Sequence, residues 1–475
     1  MSIGDDIRRP RRPAAHELER YEALFATRTG RMRSSVMRDL MAVTARPEVI
    51  SLAGGLPDTT LFEPALFAAA MDSIADGTTA EALQYGPTEG FEAVKECIVE
   101  VMAEEGTVVA ADELIVTTGG QQAIDLVCKT LLDPGDVVVA EGPTYPGAVP
   151  TFCAYEAQLV QVEMDSEGMQ IDLLERTLDE LTAAGHRPKF IYTIPTFQNP
   201  AGVTMSLPRR RRLIEVARER ELLVLEDNPY SLLRYEGEEM PTLRSLEVPH
   251  GSRDGGDFVI YTGTMSKILS AGIRLGWVVA PRPVLAKLNL GKVSADLCSP
   301  SLTQYFVAAY FAGGDWREYV ATAREAYRSR RDAMLDALAE LMPPEAHWTH
   351  PRGGLFVWLT LPEFIDTTDL LARAVRENVA FVPGEGAYDD GRGHNAMRLN
   401  FSSVSEDRIR EGIRRIAKIV EEQLALYGSL TGRARPAVSR ARSASPPDQP
   451  AERELADVVE LPRRSGKAAR RSRPV

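Results

Sequence analysis

The segment TGTMSKILSAGIRLGW, Thr262 to Trp277, sets a single lysine, Lys267, among hydroxyls and small residues, with Arg274 following. A lysine is ordinarily a solvated surface charge, because an ammonium is costly to bury. Where burial is enforced its pKa falls, and the free amine becomes a nucleophile able to form a Schiff base with an aldehyde. Such a lysine needs an electron sink beside it, and a second stretch supplies a partner for one. LLVLEDNPY ends a strongly apolar run on Asp227, a carboxylate suited to a protonated ring nitrogen. The ordinary role of an Asx before proline, closing a turn, stands as the alternative. Tyr230, and Asn199 in PTFQNPAG, have the groups to bond a ring oxygen, while Tyr145 in EGPTYPGAV has the flat face to stack on a ring. Each also has a plain structural role open to it, as core tyrosine, turn former or locally packed aromatic.

A third feature concerns anions. VTTGGQQAID places Gly119 and Gly120 where a strand gives way to a helix, leaving backbone amides free for a phosphate. A tight turn wants glycine too. The spacing is neither GxGxxG nor a P-loop, since no GK[ST] follows. Thr264 and Arg274 flank Lys267, and an arginine near a phosphate site supplies directed, charge-assisted hydrogen bonds. Arg398, in NAMRLNFSS, sits on an expected strand; facing a cleft, it would clamp a substrate carboxylate in bidentate fashion.

These residues share one kind of position. From about Asp112 the chain repeats a short apolar run, a Gly/Pro turn and an amphipathic stretch, which predicts an α/β fold with a mostly parallel sheet sandwiched by helices. Gly119–Gln122, Tyr145, Asn199, Asp227–Tyr230 and Thr264–Lys267 all follow strand ends, where open sheets bind ligands. After Ser301 come long helical patterns, then GGLFVWLTL, VAFVPGEGAY and AMRLNFSS as short strands, and a helix from Glu406 to about Tyr427. This predicts a smaller α+β domain.

Composition narrows the class. At 475 residues, 44% hydrophobic and 26% charged, the chain has room for two domains. No apolar run is long enough to span a bilayer, and MSIGDDIRRPRRP lacks a signal-peptide core, so a cytoplasmic location is expected. Cys97, Cys128, Cys153 and Cys298 form no CxxC pair, and no metal site is expected. The net charge of -13 argues against a general nucleic-acid role. The tail from Ser429, with 11 Lys/Arg against 5 Asp/Glu, is rich in Arg, Ser and Pro and is expected to be disordered.

In combination, SLAGGLPD, LQYGPTEG, TTGGQQA, EGPTYPG, PTFQNPAG, EDNPY, TMSKxxxxGxRxGW, PRGGLFVW and MRLNFS resemble the fold-type I pyridoxal 5′-phosphate-dependent aminotransferases of class I/II. The likeness is nearest to the branch of 2-aminoadipate and kynurenine aminotransferases and to the aminotransferase domains of MocR-type regulators, and it runs from about Arg31 to Tyr427. It implies that Lys267 is the Schiff-base lysine and proton shuttle, that Asp227 holds the pyridine nitrogen, and that Tyr145 stacks, these three being catalytic. It implies Asn199 and Tyr230 on the ring oxygen, and Gly120, Gln121, Thr264 and Arg274 on the phosphate. Arg398, with Asn199 and Gly55, would meet substrate, Gly54 and Gly55 lying in a segment placed over it. Tyr85, in LQYGPTEG, matches a tyrosine lent to the neighbouring subunit's phosphate, which implies a homodimer with shared active sites. Two positions depart from the pattern: Gly120 stands where relatives often have serine or alanine, and Thr264 replaces a commoner serine.

The resulting expectation is an aminotransferase acting on small α-amino acids and 2-oxo acids, with glutamate and 2-oxoglutarate as one pair by analogy. A lyase, decarboxylase or oxidase on the same scaffold shares these residues, as does a non-catalytic cofactor-sensing module. The segment before Arg31 is shorter than the regulators' winged-helix domain, which weighs against the module. Arg33, or another arginine of RTGRMRSS, is a candidate for a substrate's side-chain carboxylate. The organisation read from the sequence is an arm (1–30), a segment associated with the small domain and active site (31–60), a large cofactor-binding domain (61–300), a small C-terminal domain (301–428) and a tail (429–475).

Overall fold

The computed structural model describes residues 21–32, 46–248 and 256–432. Arg33, most of the N-terminal arm and the tail beyond 432 lie outside the described residues. Met1–Leu426 forms one compact unit, and Tyr427–Val475 is a second, whose described part belongs to a terminal helix, Glu406–Thr431. That helix runs past Tyr427, where the sequence pattern placed its end.

A short strand, β1 (Ile50–Ser51), precedes the main sheet. That sheet is built from β2 (Leu114–Thr117), β3 (Val137–Gly142), β4 (Gln158–Asp165), β5 (Gly168–Met169), β6 (Phe190–Thr193), β7 (Leu223–Asp227), β8 (Val259–Thr264) and β9 (Gly276–Val279). Its order is β2-β9-β8-β7-β6-β3-β4-β5. β3, β6 and β8 are buried at every residue, as a sheet covered on both faces requires. Alternate residues serve opposite layers: Val138, Ala140, Tyr192, Leu225 and Ile260 pack with Ile124 and Val127 of helix Gly120–Leu131. Val137, Val139, Ile191 and Val224 pack instead with Leu174 and Leu178 of helix Ile171–Ala183 and with Leu213 and Ala217 of helix Leu207–Arg220. The helical residues recur at three- and four-residue spacing, the period of a one-sided apolar stripe.

β8, β7, β6, β3 and β4 run parallel, as the repeating pattern predicts. β9 runs antiparallel to both β8 and β2, and β5 antiparallel to β4. The reversal at β9 has a local cause. The link from β8 to β9 carries no regular structure beyond a 3-10 turn, Ala271–Ile273, and is too short for a crossover helix.

A second sheet, order β10-β11-β14-β13, is antiparallel and comprises β10 (His347–Trp348), β11 (Phe356–Thr360), β13 (Val382–Pro383) and β14 (Ala396–Asn400). Beside it β12 (Val379–Ala380) pairs in parallel with β1, Ile50 opposite Val379. The chain then continues along β14: the Asn400 amide donates to the Leu52 carbonyl at 2.8 Å. That pairing carries residues 53–55 to the end of the main sheet. No described helix is long and apolar enough to cross a membrane.

One close approach locks β8 to β9. Gly263 lies opposite Trp277, and a Cβ there would come within 2.2 Å of the indole ring, which is fully buried. Gly263→Ala is therefore expected to destabilise the protein by roughly 1–3 kcal/mol or more. Urea unfolding checks this as a fall in midpoint at unchanged slope.

Candidate active site

Five strand ends converge on a cavity of about 590 Å³. Of the residues singled out from the sequence, Gly55, Gly120, Gln121, Tyr145, Asn199, Asp227, Tyr230, Thr264, Lys267, Arg274 and Arg398 all line it. Tyr85 does not; it is 77% exposed on the outer surface of this chain. Ser266, Phe356, Ile124, Pro150 and Ala154 also line the cavity, and the sequence reading had not singled them out.

Lys267 follows β8 and lies half-buried in the cavity wall, its Nζ donating to the Gly55 carbonyl at 2.6 Å. Burial, reinforced by repulsion from Arg398 and Arg274, lowers its pKa to about 8, against the attraction of Asp227. Asp227 ends β7, the neighbouring strand, opposite Thr262 in register. Burial pushes its carboxyl up to about 6, opposed by hydrogen bonds from Tyr192 and Thr262 and by the charge of Lys267. The Tyr192 hydroxyl donates at 2.8 Å to one oxygen and Thr262 at 3.1 Å to the other. Neither donor was noted from the sequence. The signal was the Tyr-Thr pair, Tyr192–Thr193 and Tyr261–Thr262, that follows the apolar start of each of two fully buried strands.

Asn199 links Tyr230 to Arg398. Its amide nitrogen meets the Tyr230 hydroxyl at 3.3 Å, and its carbonyl oxygen accepts from Arg398 Nη1 at 3.0 Å. The loop that carries Asn199 is held from beneath by Glu141 at the end of β3. This carboxylate accepts from Thr193 Oγ1 at 2.5 Å, the Ile194 amide at 3.1 Å and Gln198 Nε2 at 3.2 Å. Buried Arg210 grips the same loop through the Pro195 carbonyl at 2.6 Å and Thr196 at 2.9 Å. A carboxylate at the end of the apolar run VVVAEG was the sequence signal for this support.

Arg398 occupies β14 opposite Trp358, with its guanidinium 4.3 Å over the Phe356 ring. Its Nη2 donates to the Ala53 and Gly54 carbonyls at 3.0 Å each. Burial lowers its pKa to about 10, which marks a cation set where an arriving carboxylate would be attracted strongly.

At the other end of the cavity Gly119 caps helix Gly120–Leu131 with a φ of +80°. A Cβ at Gly119 would come within 2.6 Å of Arg274 Nη2, so the glycine lets the guanidinium lie against the first amides of the helix. Gly276 is equally tight, a Cβ there meeting the Gly119 carbonyl carbon at 2.7 Å. Thr264, whose Oγ1 accepts from the Ser266 amide at 3.1 Å, completes a cradle of hydroxyls, amides and one guanidinium. Tyr145 leans over the cavity, its hydroxyl 3.5 Å from Gln121 Oε1, while Gln121 Nε2 is anchored to Thr151 at 2.7 Å. A phosphate cradle, a lysine of lowered pKa and a buried carboxylate in one cavity fit a phosphorylated pyridine aldehyde.

The comparisons with known proteins agree with this chemistry. The family model "Aminotransferase class I and II" matches residues 47–416. An aromatic-amino-acid aminotransferase of Thermococcus litoralis is 42% identical over 405 residues, covering 85% of this chain and 95% of that protein. A 2-aminoadipate transaminase of Thermus thermophilus is 38% identical, covering 86% of this chain and 98% of its own. Among solved structures, the kynurenine aminotransferase of Pyrococcus horikoshii superposes with a TM-score of 0.80 at 41% identity, over 86% of this chain and 99% of that one. The α-aminoadipate aminotransferase of Thermus thermophilus, solved with a phosphopyridoxyl-leucine adduct, gives 0.78 at 37% identity, over 86% and 99% of the two chains.

The pKa of Lys267 yields a prediction. Its free-base fraction grows with pH and saturates above about 8, so capture of pyridoxal 5′-phosphate by the apoprotein should accelerate up to that pH and then level off. Stopped-flow absorbance checks this. A rate still climbing roughly ten-fold per unit towards pH 10 would mean an ordinary solvated lysine.

Proposed function

This chain belongs to the class I and II aminotransferases, and from that premise we propose how its residues divide the work. The enzyme moves an amino group from an α-amino acid to a 2-oxo acid with pyridoxal 5′-phosphate as cofactor, on the fold-type I scaffold. The observation that carries the assignment of roles is the convergence of Lys267, Asp227 and Arg398 on one cavity from three different elements.

In this reading Gly120, Gln121, Thr264 and Arg274 hold the phosphate, Asp227 pairs with the ring nitrogen, Asn199 and Tyr230 meet the ring oxygen, and Tyr145 covers the ring. When bound there, the cofactor supplies an electron sink for charge left on the substrate's α-carbon. Arg398 takes the substrate carboxylate and, with Asn199 and the Gly54–Gly55 segment, turns the α-C–H bond towards Lys267 Nζ. Lys267, as free base, accepts that proton and later returns one to the cofactor's side. Asp227 stays anionic, so the ring nitrogen keeps its proton. Leu56, Ile124, Pro150 and Ala154 bound the rest of the cavity with apolar surface, which supports aromatic side chains such as the name of the Thermococcus litoralis relative describes. Glutamate and 2-oxoglutarate form one of the two pairs.

In the same reading residues 61–300 form the cofactor-binding domain and 301–428 a smaller C-terminal domain, with 31–60 as the segment associated with the small domain and the active site. The enzyme works as a homodimer in which Tyr85 of one protomer reaches the phosphate site of the other. Support comes from exposed apolar residues in two adjoining segments: Leu83 and Tyr85 on one, and Leu290, Val293, Leu297 and Leu302 on the other. The segments meet where Phe91 packs on Tyr305, ring centroids 5.0 Å apart. The free thiols Cys97, Cys128 and Cys298 support a reducing, cytoplasmic setting.

Two measurements test this. Single amino acids added to the loaded protein should convert the cofactor's aldehyde-form absorbance band to the amine-form band, and a 2-oxo acid should restore it. Aromatic and aminoadipate-like donors should convert fastest, and Arg398→Ala should slow conversion by roughly 100-fold or more, as loss of a buried carboxylate partner does. A band that never returns on adding a 2-oxo acid would contradict transamination by this site. For assembly, sedimentation should find a dimer, and Leu290→Asp with Leu297→Asp should give a monomer with at least roughly ten-fold weaker cofactor binding. A monomer that binds cofactor unchanged would overturn the shared site.

A further inference from the structure

We propose that Tyr192 is a positioning residue whose hydroxyl keeps Asp227 ionised and aimed at the cofactor's ring nitrogen. The proposal rests on the reading in which Asp227 pairs with that nitrogen.

The geometry follows from strand register. Tyr192 on β6 pairs with Leu225 on β7, two residues behind Asp227 and therefore on the same face. Two residues advance a strand by about 6.6 Å, and a tyrosine leaning along its strand is long enough to cover that offset. Its hydroxyl arrives at 2.8 Å from Asp227 Oδ2. From the opposite side Thr262 on β8, directly in register with Asp227, donates to Oδ1 at 3.1 Å. Both carboxylate oxygens thus receive a neutral donor from a flanking strand, which fixes the plane of the group. The phenol ring is itself clamped, fully buried and edge-on to Phe152 with centroids 5.5 Å apart at 72°.

The chemistry favours a neutral donor in this place. A buried carboxylate with no donor would take up a proton and lose the charge that holds the ring nitrogen protonated. A cation beside it would preserve the charge but compete with the ring for it. A tyrosine hydroxyl stabilises the anion without adding charge, and burial holds the hydroxyl's own pKa well above its usual range, so it stays a donor. The other groups facing Asp227 are Lys267 from beyond β8, Tyr145 from beyond β3 and Tyr230 from beyond β7. Of these Lys267 is the one that titrates near neutrality, at about 8, above the limb that belongs to Asp227.

The sign follows. As pH falls through the Asp227 pKa the carboxylate is lost and cofactor affinity falls. Removing the Tyr192 hydroxyl removes a contribution that lowers that pKa, so the loss must begin at higher pH. The experiment measures the dissociation constant of pyridoxal 5′-phosphate for the apoprotein, by equilibrium dialysis from about pH 5 to about pH 9. Wild type, Tyr192→Phe and Asp227→Asn are compared. The Asp227→Asn curve defines titration of the cofactor's own phosphate, and its difference from wild type isolates the Asp227 limb. Tyr192→Phe keeps the ring packing and is expected to move that limb upward by roughly one unit. Incorporation of 3-fluorotyrosine at position 192, a more acidic and stronger donor, should move it downward. A folded Tyr192→Phe protein whose affinity drops equally at every pH, with the limb unmoved, would show mere packing and overturn the proposal. Should Tyr192→Phe fail to fold, the fluorotyrosine protein decides alone: a downward shift supports the proposal and an unmoved limb overturns it. Identical curves for wild type and Asp227→Asn would instead defeat the pairing of Asp227 with the ring, on which the proposal stands.

Discussion

The register of β7 against β8 is the constraint on which the active site depends. Asp227 lies opposite Thr262, so the carboxylate leaves β7 on the face and at the height where β8 ends and the turn to Lys267 begins. Because side chains alternate faces, a slip of one residue would send Asp227 into the opposite layer of the sandwich. The apolar residues on both faces of these strands make such a slip costly, since Val224 and Leu225 would exchange the helices they pack against. Burial of the sheet thus specifies the catalytic geometry as well as stability. The antiparallel return through β9 adds to this: with Gly263, Gly276 and Gly119 nested together, the start of helix Gly120–Leu131 is held against the same turn.

A second consequence is electrostatic. Burial acts in the same sense on all the charged groups here, disfavouring charge on Lys267, Arg398 and Asp227 alike. The cavity sets Lys267, Arg274 and Arg398 against the carboxylates of Asp227 and Asp125. In the proposed reading an anionic cofactor and an anionic substrate carboxylate would balance that excess, each at its own end of the cavity. Specific neutral donors then refine the balance: Tyr192 and Thr262 for Asp227, and Asn199 between Arg398 and Tyr230. The buried Glu141, whose pKa is pushed up to about 7 by desolvation, belongs to the same economy of hidden charge, tying the Asn199 loop to β3.

Much of this was legible in the sequence because strand ends of an α/β sheet are marked by abrupt changes from apolar runs to Gly, Pro, Asn and Asp. TTGGQQA, PTFQNPAG and EDNPY carry that mark, TMSK breaks its apolar run with hydroxyls and a lysine instead, and the cavity collects all four. The residues that remained hidden depend on partners far away in the chain. Tyr192 reads as an ordinary strand tyrosine until β6 is laid beside β7, and Glu141 as an odd carboxylate until the 194–198 loop folds over it. The pairing of β1 with β12 joins Ile50 to Val379 through two strands too short to show a period. The sequence reading left the direction of β9 open, because an apolar run looks the same in either sense; the length of its connection was the clue. Tyr85 faces outward from its own chain, so only an assembled pair would bring it to a site.

The central claim is that Lys267 is the residue that takes the cofactor. Borohydride reduction of the protein loaded with pyridoxal 5′-phosphate, followed by peptide mapping, tests it directly. The account predicts one phosphopyridoxyl group per chain, carried on the Lys267 peptide, and none on Lys267→Ala. A label on another lysine, or equal labelling of the Lys267→Ala protein, would contradict it.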